Sequence, residues 1–136
     1  MINYQQDAAQ KLYQILNDFH NKTKKFEKAT GLTLERLEIL KQLVNLGPKT
    51  INQLAEQEAV SAPAITRTIK GLEKQGYVIK SRSKTDQRVV FVAPTRKSLQ
   101  VIEALRLQQQ KYIDELLQGV DEDDIDVLAK ALETIL

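Results

Sequence analysis

The sequence predicts a mainly α-helical fold with one small β-hairpin, organised as a single domain over residues 1–136. Apolar residues recur at helical spacing over most of the chain, and glycine, proline, serine and threonine fall where helices would begin or end. Only one short region is rich in β-forming residues. No apolar run approaches the ~18 residues needed to cross a bilayer, and the first residues do not resemble a secretory signal, so we expect a cytoplasmic protein.

Two helices are predicted in the first third of the chain. The first covers residues 2–28, with an apolar face formed by Ala8, Leu12, Ile15, Phe19 and Phe26. Gly31 is expected to end this helix, and Thr33 is expected to cap the next one. The second helix should run to about Asn45, because Gly47 and Pro48 stop it.

Two shorter helices follow, joined by a very tight connection. Thr50 and Gln53 form a capping box that starts a helix ending near Gln57. Ser61 is placed to cap the next helix, with Pro63 in its first turn, and Gly76 should end it. In this helix the inner face consists of Ile65, Ile69 and Leu72, and the outward face of Ala62, Pro63, Thr66, Arg67 and Lys70.

The last third begins with a hairpin and ends with two helices. Residues 77–80 and 89–92 are predicted strands that flank a polar tip at 81–88. Thr95 is placed to cap a long helix whose apolar positions are Leu99, Ile102, Leu105, Tyr112, Ile113, Leu116 and Leu117. Asp121 should start the final helix, with its stripe at Ile125, Leu128, Leu132 and Ile135.

Charge is distributed unevenly along the chain, although the net charge is only +2. Residues 59–97 carry nine Lys or Arg side chains against two acidic ones, whereas residues 98–136 carry three basic and nine acidic side chains. A concentrated basic segment is suited to binding phosphates, and an acidic segment would be repelled by the same polyanion. We therefore expect one region to face a nucleic acid and the other to face away from it.

Two helices joined by a short connection and followed by a hairpin make a winged helix-turn-helix. The sequence therefore predicts a lobe over residues 31–94 that binds double-stranded DNA, with the second of the two short helices in the major groove. Residues 1–30 and 95–136 are expected to be dimerisation helices. The candidate DNA-binding residues are Thr50, Ser61, Ala62, Pro63, Ala64, Thr66, Arg67, Lys70, Lys80, Arg82, Lys84, Asp86 and Arg88.

Several motifs between Gly31 and Thr95 resemble the MarR family of bacterial transcription regulators. These are Gly31-Leu32-Thr33, the run from Leu72 to Val78, the segment Asp86-Gln87-Arg88, and Thr95. The resemblance implies that Arg88 is a wing arginine that enters the minor groove and that Asp86 holds the wing in shape. The sequence departs from the family pattern at Lys80, Pro94 and Ser98, where arginine, leucine and glycine are usual.

The terminal helices indicate how the protein would assemble. The first helix is about 40 Å long at 1.5 Å per residue, more than a small core can cover, so a homodimer on a pseudo-palindromic operator is expected. The resemblance implies a repressor released by a small aromatic or anionic ligand. The sequence assigns no ligand-binding residue, because Tyr4, Tyr13 and Tyr112 could equally be ordinary core or interface side chains.

Other function classes are disfavoured by composition. The chain has no cysteine and a single histidine, His20, so neither a thiol nor a metal site or cofactor is expected. No set of catalytic groups is apparent, and the acidic run at 121–124 is read as a helix start, so an enzyme is not expected. The alternative is a winged-helix module that binds protein, such as an antagonist of another regulator. The basic residues on the second short helix, which we call the reading helix, and on the hairpin favour DNA.

Overall fold

The computed structural model describes residues 1–136 and contains six helices and three short strands. The elements are α1 (Tyr4–Ala29), α2 (Leu34–Leu46), β1 (Lys49–Thr50), α3 (Ile51–Gln57), α4 (Ala62–Lys74), β2 (Val78–Arg82), β3 (Val90–Pro94), α5 (Arg96–Leu117) and α6 (Glu122–Ile135). This confirms the mainly α-helical fold with a small β wing.

Side-chain caps start the helices of the lobe at the residues that the sequence indicated. The Thr33 hydroxyl accepts the backbone N–H of Arg36, and Ser61 does the same for Ala64, both at 3.2 Å. The Thr50 hydroxyl accepts the Gln53 N–H, and the Gln53 side chain accepts the Thr50 N–H in return. These bonds satisfy backbone donors that have no partner within the helix, so each helix begins at a defined residue.

The core lies between α2, α3, α4, the sheet and the first half of α5. Its fully buried side chains come from one face of each element: Leu37, Ile39, Leu40, Leu43, Leu54, Ile65, Ile69, Leu72 and Val92. Ile65, Ile69 and Leu72 are the inner face predicted for α4. Burying this face leaves the opposite side of α4 at the surface.

The sheet has three antiparallel strands in the order β1-β3-β2. Strand β1 was not predicted; it pairs Lys49 with Val92 and Thr50 with Phe91. Strands β2 and β3 form the predicted hairpin, but they extend to Arg82 and Pro94, beyond the expected ends. The added strand ties the base of the hairpin to the start of α3.

The two terminal helices contribute little to this core. Neither α1 nor α6 contains a buried residue. Within the single chain, α1 packs on α5, where Tyr112 donates a hydrogen bond to an Asp18 carboxylate oxygen at 2.7 Å and its ring lies 5.7 Å from that of Phe19. That bond, together with burial, raises the pKa of the Tyr112 hydroxyl above its ordinary value.

Large apolar side chains remain exposed on the terminal helices. On α1 these include Leu12, Tyr13 and Leu16, and on α6 Val127 and Ile135. None of the helices has the combination of length and apolar character that a membrane span requires.

Candidate nucleic-acid interface

The outer face of α4 is open to solvent. Thr66, Arg67 and Lys70 are exposed and lie across the helix from the buried Ile65 and Ile69. The first turn carries only the small residues Ala62, Pro63 and Ala64, so nothing bulky separates the helix backbone from a partner. The predicted reading face therefore exists as a surface, with its cations projecting away from the core.

A tight turn joins α3 to α4 and sets how they cross. Ala59 in this turn has φ of 54°, in the left-handed region that non-glycine residues rarely adopt. The Val60 N–H bonds the Ala55 carbonyl at 3.0 Å, which closes the turn directly behind α3. With Ser61 capping α4 immediately afterwards, the two helices have the short connection expected of a helix-turn-helix.

The tip of the hairpin is held by its own polar groups. The Arg82 guanidinium donates to the backbone oxygen of Gln87 at 2.8 Å, across the hairpin. The Ser83 hydroxyl accepts the N–H groups of Thr85 and Asp86, at 3.2 and 3.3 Å. Ser83 was not among the predicted site residues, although a serine two residues before a threonine in a polar turn is a recognisable local motif.

Asp86 organises the second half of the tip around Arg88. One Asp86 oxygen accepts both the backbone N–H of Arg88 at 3.0 Å and its guanidinium at 3.2 Å. The backbone bond, followed by the side-chain bond, lowers the pKa of the Asp86 carboxyl below its ordinary value. The Arg88 side chain is nevertheless 92% exposed, as is expected of a cation available to an external partner.

The reading helix and the wing share one groove. It has a volume of about 300 Å³ and lies between the start of α3, the outer face of α4 and the hairpin. Its lining comprises Thr50, Ile51, Asn52, Thr66, Arg88, Val89 and Val90. Three of the predicted DNA-binding residues, Thr50, Thr66 and Arg88, are therefore brought together although they are far apart in sequence.

Other basic residues of the 59–97 segment are occupied within the protein. The Lys80 ammonium lies 3.3 Å from a Glu73 carboxylate oxygen, linking β2 to the last turn of α4. Lys97 donates to the backbone oxygen of Gln75 at 2.6 Å, and its ammonium lies 4.4 Å from the centroid of the Tyr77 ring. The charge count alone could not separate these cations from those on the open face.

Thr95 also has a different role from the one expected. It occupies the N-cap position of α5 as predicted, but its hydroxyl donates to the backbone oxygen of Gly76 at 2.7 Å. The buried hydroxyl of Ser98 accepts the Thr95 N–H instead, at 2.9 Å. Thr95 therefore joins the end of α4 to the start of α5.

This arrangement, a short helix pair followed by a cationic hairpin, defines a winged helix-turn-helix protein of the DNA-binding class. A protein-family model described as the MarR family matches residues 32–90. YdgJ of Bacillus subtilis, an uncharacterized HTH-type transcriptional regulator, is 30% identical over 115 residues, which are 82% of this chain and 70% of the relative. The chain belongs to the MarR family.

Solved structures with the same fold extend over nearly the whole chain. Transcriptional regulator Tm0710 of Thermotoga maritima has a TM-score of 0.82 at 23% identity, covering 96% of this chain and 92% of its own. A mutant of MepR from Staphylococcus aureus, bound to an oligodeoxyribonucleotide, has a TM-score of 0.80 at 15% identity, with coverage of 99% and 96%. NadR in complex with 4-hydroxyphenylacetate has a TM-score of 0.60 at 19% identity, with coverage of 99% and 93%.

Proposed function

We propose that this protein is a homodimeric repressor that binds a pseudo-palindromic DNA operator and is released by a small aromatic or anionic ligand. The observation that carries the DNA-binding part is the shared groove, in which Thr66 of α4 and Arg88 of the wing line one open surface. A duplex can contact a helix in its major groove and an adjacent hairpin only if both project from the same side.

Different residues of α4 and the wing would contact different parts of the DNA. Ala62, Pro63 and Ala64 let the helix start approach the base edges, and Arg67 has the reach for a bidentate contact with guanine. Lys70 lies one turn further along and would meet a phosphate. The exposed Arg88 would enter the neighbouring minor groove, where a narrow groove attracts arginine.

Two copies of the chain would account for the exposed apolar residues of the terminal helices. Leu128 and Leu132 of α6 are each 40% exposed, and Leu12 and Leu16 of α1 are exposed as well. Exposed apolar faces of this kind are unfavourable in water unless a partner covers them. A second copy of the chain carries the same apolar side chains and could cover them. A twofold dimer then presents two α4 helices about one DNA turn apart.

A cleft between α2 and α5 offers a place for a ligand. Its volume is about 390 Å³, and its walls include the apolar Val44, Leu99 and Ile102 together with the cations Lys41 and Arg106. Burial alone would lower the pKa of Lys41, but hydrogen bonds with Glu38 and Glu27 outweigh it and raise the pKa, so this side chain stays charged. The apolar walls suit the ring of a small aromatic ligand, and NadR holds 4-hydroxyphenylacetate in its solved structure. Both cations are paired with carboxylates, Lys41 with Glu27 and Glu38 and Arg106 with Glu103 of the same cleft, so an anionic group would have to compete with these partners.

A gel-shift experiment with genomic fragments from the source organism tests the DNA-binding proposal. Wild-type protein at low salt should retard at least one duplex, and the double variant Arg67→Ala/Arg88→Ala should retard none. Lys130→Ala is the matched control, because Lys130 is an exposed cation of α6 that pairs only with Asp126 one turn away.

Sedimentation velocity of the same proteins should give a dimer for all three, because none of the substitutions removes an apolar residue of the terminal helices. A monomeric wild-type protein would contradict the proposed assembly. If wild-type protein retards no fragment at any salt concentration, the DNA-binding proposal is wrong, and the alternative of a winged-helix module that binds protein is favoured.

A further inference from the structure

The last turn of α4 is held by two residues from other helices that take no part in the proposed DNA contacts. The Arg36 guanidinium of α2 donates to the side-chain oxygen of Gln75 at 2.7 Å. The Lys97 ammonium of α5 donates to the backbone oxygen of the same residue at 2.6 Å. Gln75 therefore connects three helices at one point.

Gly71 makes room for this arrangement. A Cβ built on Gly71 would lie 2.7 Å from Cζ of Arg36 and 3.3 Å from its Nε, distances too short for ordinary contact. The guanidinium therefore lies directly over the α4 backbone, and a Cβ at residue 71 would force the end of the flexible Arg36 side chain to move away. Glycine inside a helix is less favourable than alanine, and at this position it leaves the room that the Arg36 guanidinium occupies.

The junction formed by Arg36, Gln75 and Lys97 lies at the end of α4 opposite the start of the reading face, so a small rotation at the junction moves the start of the reading face by a larger distance. Helix α4 has 13 residues and is therefore about 18 Å long, with the junction at its C-terminal end and the small residues of the reading face at its N-terminal end. A tilt of about 5° around the C-terminal end moves the N-terminal end by about 1.5 Å. Hydrogen bonds to base edges tolerate only a few tenths of an ångström.

We propose that Arg36, Gln75 and Lys97 are positioning residues that fix the angle between α4 and α5, and that Gly71 permits this geometry. The inference rests on the proposed function, because α5 packs on α1 and would belong to the dimer scaffold. The angle of α4 to α5 then determines the distance between the two reading helices. The junction accordingly sets which spacing of DNA half-sites the dimer accepts.

The role of the junction in setting half-site spacing can be tested by selecting bound duplexes from a randomised pool. About 30 randomised base pairs are enough for two half-sites. We compare wild-type protein with Gly71→Ala and Gln75→Met, neither of which changes the charge. Gln100→Met is the matched control, since Gln100 is an exposed residue of α5. Wild type and control should enrich one half-site spacing. The two junction variants should enrich a shifted or broadened spacing and bind the wild-type consensus roughly 5- to 150-fold more weakly, as with one mismatched base pair.

A double-substitution cycle checks that Gly71 acts through Arg36. In an Arg36→Met background, Gly71→Ala should change affinity by less than about twofold, because the guanidinium that it displaces is gone. Thermal unfolding of every variant separates positioning from simple stabilisation: a purely structural role would lower the melting temperature and leave the selected spacing unchanged.

The two proposals fail in distinguishable ways. If wild-type protein enriches no duplex, both the proposed function and the positioning role are overturned. If wild-type protein enriches a defined spacing and Gly71→Ala and Gln75→Met enrich the same spacing with the same affinity, the positioning role alone is overturned.

Discussion

Removing Arg88 should reduce the salt dependence of DNA binding by an amount that can be calculated. Its side chain is 92% exposed at the tip of the wing, and the proposed dimer carries two copies. A cation in the minor groove neutralises phosphate charge and displaces counterions as a direct phosphate contact does, and each such charge contributes about 0.9 to the slope of log affinity against log salt, so losing two lowers the slope by about 1.8. Between about 50 and 200 mM salt, the loss of affinity should then be about twelvefold smaller than for wild type.

Asp86 must be included in the design, because Arg88 is its partner. In Arg88→Ala the Asp86 carboxylate loses the guanidinium 3.2 Å away and becomes an unpaired negative charge near the DNA. This repulsion would weaken binding further at low salt. The double variant Asp86→Asn/Arg88→Ala removes both charges and isolates the contribution of the arginine to the slope.

Fluorescence anisotropy with one labelled operator duplex at four salt concentrations measures these slopes. Lys130→Ala should keep the wild-type slope, since its cation lies on α6 and pairs with Asp126 at 2.9 Å. An unchanged slope in both Arg88 variants, with affinity lowered equally at every salt concentration, would show that Arg88 makes no ionic contact with the duplex and would refute the reasoning.

Three further predictions concern stability, assembly and pH. Ile69→Ala should lower the free energy of unfolding by about 2–5 kcal/mol in urea titrations, because Ile69 is fully buried, whereas Lys70→Ala should change it by less than about 0.5 kcal/mol. Leu132→Asp should yield monomers in sedimentation velocity, and a stable dimer would place the interface elsewhere. The pKa of the Asp86 carboxyl is held below its ordinary value by the Arg88 backbone and side-chain bonds, so its bond to the Arg88 N–H should persist through the pH range in which ordinary aspartates titrate and be lost only as pH falls through the lowered pKa. An NMR shift of that N–H with the midpoint of an ordinary aspartate, about 3.9, would contradict this.

Most of the helical framework follows from local signals in the sequence. Thr33, Thr50 and Ser61 start helices because their hydroxyls accept N–H groups only three residues away. The inner face of α4 was also predictable, since Ile65 and Ile69 follow the period of the helix. Such features depend on neighbours along the chain, which a sequence displays directly.

Strand β1 was not predicted because it is defined by pairing with residues far along the chain and not by its own sequence. Lys49 and Thr50 form a strand only by pairing with Val92 and Phe91, more than forty residues later. The local sequence showed only the Thr50 capping box, which is also present. A two-residue strand has no periodicity of its own, so no pattern in the sequence could indicate it.

The two ends of α4 explain which part of the candidate site could be predicted. The N-terminal half acts on an external partner, so its residues are small, polar or cationic at positions that the helical period places outside, and this is visible in the sequence. The C-terminal end acts inside the protein, through contacts of Gln75 with Arg36 and Lys97 that span 39 and 22 residues. In the sequence, Lys97 was indistinguishable from the other cations of the basic segment 59–97, because its partner lies on another element. A basic residue near a reading helix can bind the duplex or hold the helix that binds it, and only the fold distinguishes the two.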